Sequence, residues 1–69
     1  MASEADALRR LIQILDTPVG AALRVAAIEG LGIAGGDVAR ATLIRVLDQP
    51  ASAEVHAAAA RALGRATHR

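Results

Sequence analysis

His56 and His68 are the side chains in this 69-residue sequence best suited to proton transfer near neutral pH or to metal ligation. Neither has the company that such chemistry needs. His68 lies in a basic C-terminal segment, and Glu54 is too close to His56 in sequence to share a helix face with it. No His, Asp or Glu grouping has metal-ligand spacing. Both histidines therefore read as structural or solvated, and no metal site is assigned. Ser3 and Ser52 each precede a helical segment and read as N-caps rather than nucleophiles. Asp16 and Asp48 occupy equivalent positions between helices, which favours a structural role over acid–base catalysis. Gly30-Leu31-Gly32 and Gly35-Gly36 lack the preceding strand that a nucleotide-binding loop requires. There is no Cys, hence no thiolate, disulfide or Cys-based zinc site. The residues point to no enzyme, no cofactor and no small-molecule substrate.

Charge narrows the partners. Arg61, Arg65 and Arg69 recur at spacings of four near one face of the last helical segment. A solvated polar face accounts for them, since positive charge is favourable near a helix C-terminus. The formal net charge is only +1, and no aromatic residue is present to stack on bases. Nucleic acid is accordingly the secondary reading, behind a protein partner. No apolar run is long enough to span a membrane. The acidic start Ser3-Glu4-Ala5-Asp6 argues against a signal peptide, and a cytoplasmic location is expected.

Four helices would have to position these residues. The first is expected over about Glu4 to Asp16, capped by Ser3 with Asp6 completing a capping box, and carrying a stripe of Leu8, Leu11, Ile12 and Leu15. Thr17-Pro18 ends it. The second spans about Ala21 to Ala34 and stops at Gly35-Gly36, one of which suits a left-handed C-terminal position. Asp37 is expected to cap the third, about Val38 to Asp48, and Ser52 the fourth, about Ala53 to Thr67. The second and fourth are apolar over most of their circumference, with Leu23, Ala27, Leu31 and Ala34 forming one stripe of the second. Such helices are buried on more than one side. Gly30, Gly32 and Gly64 cost helix propensity, which suggests close helix packing or a loosened last turn. The chain is 54% hydrophobic, but much of this is Ala and none is aromatic, so its core must be thin.

The chain also repeats itself with an offset of 32 residues. Leu11-Ile12-Gln13-Ile14-Leu15-Asp16-Thr17-Pro18 returns as Leu43-Ile44-Arg45-Val46-Leu47-Asp48-Gln49-Pro50. Ala26-Ala27 returns as Ala58-Ala59, Leu31-Gly32 as Leu63-Gly64 and Ala34 as Ala66. A fixed period of this size marks stacked supersecondary units that present a surface to another molecule. Two units fall short of the number such stacks usually need, so self-association or membership of a longer array is expected.

The pattern resembles HEAT repeats of the short bacterial type, found in phycobilisome-lyase-like proteins. Leu15-Asp16, Pro18, Leu23-Arg24, Ala26-Ala27 and Leu31-Gly32 carry the likeness, as do Leu47-Asp48, Pro50, Val55-His56, Ala58-Ala59 and Leu63-Gly64. The resemblance implies an all-α fold of two helical hairpins, four helices stacked as a short α-solenoid. A single domain over 1–69 is expected, with repeat one at about 4–35 and repeat two at about 37–67. It also implies a ladder joining Asp16 and Asp48 to Arg24, interrupted where His56 replaces the second Arg. By resemblance alone, an accessory role in a bilin-lyase-type complex is a further alternative.

Function is expected from the surfaces. Mapped by the repeat, one strip comprises Ala22, Ala26, Glu29, Ile33, Glu54, Ala58, Arg61 and Arg65, suited to a partner helix or peptide. Glu29 and Arg61 occupy equivalent positions and could pair. Val25 and Ile28 shrink to Ala57 and Ala60, and Ile33 becomes Arg65. That face of the last helix is either a soluble cap or a close-packed self-association surface. The expected role is a non-catalytic interaction or scaffold module that self-associates or docks a protein partner.

Overall fold

A computed structural model describes residues 2–68. These residues form four α-helices: α1 Glu4–Leu15, α2 Ala21–Ala34, α3 Gly36–Asp48 and α4 Ala53–Thr67. Among the described residues there is no strand. The capping box at α1 forms as expected: the Asp6 N–H donates to Ser3 Oγ at 3.1 Å and the Ser3 N–H to Asp6 Oδ2 at 3.2 Å. These bonds, the Ser3 backbone bond first, hold the Asp6 carboxyl below its ordinary pKa. Ser52 caps α4 through a bond from the Val55 N–H at 3.2 Å.

The expected cap at Asp37 does not form. Gly35 and Gly36 both adopt positive φ, 67° and 87°, which leaves a single non-helical residue between α2 and α3. The helix therefore starts early and draws Asp37 into its first turn, where it pairs with Arg40 and meets the positive end of the helix dipole. Asp16 is also displaced from expectation, lying just past the end of α1 as its C-cap. His68 caps α4, its N–H bonding Arg65 and Ala66 carbonyls.

α1 packs on α2, and α3 on α4, giving two hairpins. They join chiefly through α2 against α4, while α1 and α3 barely touch. The result is a flat molecule, 33 × 26 × 16 Å. The buried residues of α4 are Val55, Ala58, Ala59, Ala62 and Ala66, one continuous helical stripe. α2 contributes Ala27, Ile28, Leu31 and Gly32, and α3 contributes Ala39, Thr42, Leu43 and Val46. Ile28, Leu31 and Leu43 are the largest fully buried side chains, each stabilising by about 1.5–3 kcal/mol. The expected α1 stripe is only partly buried: Leu15 is in the core, while Leu8, Leu11 and Ile12 lie at its edge. α1 has one substantial neighbour, so its remaining apolar surface stays half-covered.

Candidate interaction surfaces

The corners between helices carry the polar structure. Arg24, early in α2, donates through Nη1 to the Leu15 carbonyl at 3.1 Å and through Nη2 to the Thr17 carbonyl at 3.3 Å. It thereby satisfies the Leu15 carbonyl, left free at the C-terminal end of α1, and adds a second donor to the Thr17 carbonyl, which also accepts from the Val19 N–H. His56 does the same job one repeat on: its Nε2 lies 2.8 Å from the Gln49 carbonyl. A carbonyl only accepts, so Nε2 carries the proton. Arg24 and Thr17 are each 32 residues before His56 and Gln49.

This corrects the expected ladder. Arg24 pairs with neither Asp16 nor Asp48, because the carbonyls at the end of its own hairpin's first helix are its bonding partners. Asp16 instead accepts from Arg45 Nη1 at 3.2 Å, a pair that links the two hairpins. Both side chains are about half exposed, so the pair contributes only about 0–1 kcal/mol. Asp48 makes no ion pair among the described residues. The change from Arg24 to His56 does not interrupt the corner, since the imidazole keeps the bond to the backbone.

The expected surface strip is mostly exposed: Ala22, Ala26, Glu29, Ile33, Glu54, Arg61 and Arg65 all face solvent. Ala58 does not. It is fully buried, because α4 turns this position into the packed stripe that covers α2. Glu29, Ile33, Arg61, Ala62 and Arg65 line an open groove of about 300 Å³. Glu29 and Arg61 share it without forming an ion pair. Arg69, the end of the arginine series, lies outside the described residues. A second groove of about 220 Å³, almost wholly apolar, is bounded by Ala5, Leu8, Arg9, Ile12 and Val38.

The repeat also organises two faces at opposite ends of the hairpin pair. Val55 is 5% exposed, but its counterpart Leu23 is 47% exposed. Ala39 and Ala58 are fully buried, whereas Ala7 and Ala26 are exposed. The α1–α2 hairpin thus shows on its free side what the α3–α4 hairpin buries against it. We call this the leading face. Leu23 was expected in the buried stripe of α2, and only α4's own counterpart of it is covered. The 32-residue offset run backwards from buried Val55 leads to Leu23.

The trailing face lies at the other end, on α4. Ile28 is fully buried and its counterpart Ala60 is exposed; Ala57 is exposed likewise. Gly32 is buried so closely that a Cβ there would lie 2.8 Å from Ala62 Cα, while at Gly64 nothing lies within 4 Å. Ala57 and Ala60 thus lie open on one side of α4.

Among the described residues no group of three His, Asp or Glu could hold a metal ion, and no helix is long and apolar enough to cross a membrane. Compared with family models, with curated proteins and with solved structures, the chain matches none.

Proposed function

We propose that this chain is a HEAT-like helical-repeat module that acts without catalysis, by binding protein. The observation that carries this reading is the leading face. Leu23, Ala26 and Ala7 are the counterparts of residues that the second hairpin buries, and they are left open. Small alanines among larger aliphatics allow a helix pair to approach closely, as α2 and α4 do. An exposed aliphatic patch of this kind marks an interaction site in a chain with little core to spare. The two-hairpin arrangement, the 32-residue period and the equivalent corners at Arg24 and His56 support a solenoid-like stack. The arginines do not favour nucleic acid, because Glu29 shares their groove and breaks its positive field.

Site-specific photo-crosslinking in cells tests this. A photoreactive residue at position 23 should give protein adducts, and one at the exposed position Ala41 should not. Equal, background labelling at both positions would overturn the reading.

A further inference from the structure

We propose that the partner of the leading face is the trailing face of a second copy, so that chains stack head to tail in the register of the internal repeat. This rests on the interaction reading above. Four correspondences carry it, each obtained by moving the internal interface on by one repeat. At the internal interface, Val46 and Val55 share a recess with Ile28. One repeat on, Ile14 and Leu23 of the next copy would face Ala60. Ile28 to Ala60 removes three side-chain carbons, while Val46 to Ile14 and Val55 to Leu23 restore two from the opposite side. The volume lost on one face is largely returned by the other.

The glycines match in the same way. Ala62 sits on Gly32; one repeat on, Gly30, whose Cβ direction meets Leu11 of its own hairpin, would approach Gly64 through its backbone. Within one chain Gly64, in the last turn of α4, has open space and no packing reason to be glycine. A second helix crossing there supplies the reason.

The polar pair also carries over. Arg45 and Asp16 bridge the hairpins, and their counterparts are Gln13 and Asp48. The Gln13 side-chain oxygen already accepts from Arg10 at 2.7 Å, which leaves its amide N–H groups free to donate. Asp48 makes no ion pair among the described residues and can accept. The two faces differ, so the contact is heterologous and grows into a ring or an open chain rather than closing as a twofold dimer.

Sedimentation of the intact protein from low micromolar to millimolar concentration, with interference detection because no aromatic residue is present, reads the assembly. The mass should rise past that of a dimer. Leu23→Glu and Ala60→Glu each alter an exposed position on one face, and each should raise the half-assembly concentration by about tenfold or more. Mixed in equal amounts, they should form a dimer and nothing larger, because each retains the face the other lacks. Far-ultraviolet circular dichroism checks that both are folded. Gln13→Glu provides a second route that leaves the core untouched. It should weaken assembly by setting two carboxylates together, and adding Asp48→Lys should restore it. A wild-type monomer at every concentration, a mixture that stays monomeric, or no rescue by Asp48→Lys would each overturn the proposal. Adducts at position 23 together with a strictly monomeric wild type would sink the second copy while leaving the interaction reading intact.

Discussion

Gly32 and Ala62 meet so closely that a methyl group on Gly32 would lie 2.8 Å from both Ala62 Cα and Ala62 Cβ. At this point α2 and α4 approach through backbone and methyl groups alone. Gly64, the counterpart of Gly32, has nothing within 4 Å of the same position. Equivalent glycines should therefore respond oppositely to the same change. Gly32→Ala forces α2 and α4 apart and should destabilise by about 1–3 kcal/mol despite its better helix propensity. Gly64→Ala should stabilise the monomer by up to about 1 kcal/mol. Thermal or urea unfolding of both variants, at concentrations where each is monomeric, checks this pair.

The corner at Arg24 yields a second expectation. Arg24→Ala strands the part-buried Leu15 carbonyl, while the Thr17 carbonyl keeps its bond from the Val19 N–H, and should cost about 1–2 kcal/mol. Arg24→His should cost less, because His56 already makes the equivalent bond to Gln49. Urea unfolding that ranked His no better than Ala at position 24 would refute the equivalence of the two corners.

The uneven burial of the aliphatic residues gives a third. Ile28 is fully buried, and Ile28→Ala should cost about 2–5 kcal/mol, enough to unfold a chain of this size. Leu8 is only partly buried at the edge of α1, and Leu8→Ala should cost about 1 kcal/mol or less. Helicity at 222 nm as a function of denaturant separates them.

Acid should loosen the start of α1. The Ser3 bonds lower the folded-state pKa of Asp6 below its unfolded value. The resulting stabilisation is present in full above the unfolded carboxylate pKa and is lost as pH falls through the folded one. Asp6→Asn removes this dependence, so its stability should change less on acidification than that of the wild type. Urea titrations at neutral and acidic pH test the sign; a steeper acid loss in the variant contradicts it.

The helices were readable because their punctuation is local. Ser3 with Asp6, Thr17-Pro18 and Ser52 act within a few residues, and the start and end of α1 and the start of α4 follow from them. Asp37 misled because two consecutive glycines at positive φ turn the chain in one residue, which no side-chain preference announces. The candidate surface was readable in part. The exposure of Ala57, Ala60, Arg61 and Arg65 followed from comparing the copies. The burial of Ala58 and the exposure of Leu23 depend on which side of each hairpin has a neighbour, and a periodic sequence assigns the same pattern to both sides. The pairing of Asp16 with Arg45, not Arg24, has the same origin: it crosses between hairpins and is invisible to local spacing.

Among the described residues, six of the twelve buried apolar side chains are alanine, and none is aromatic. Alanine removes little hydrocarbon from water beside the peptide groups buried with it. Apolar exposure on unfolding raises the heat capacity and polar exposure lowers it, so this chain should fall below the usual value of about 12–15 cal/mol/K per residue. Its free-energy curve against temperature is then broad and shallow. Cooling should do little to weaken a single chain.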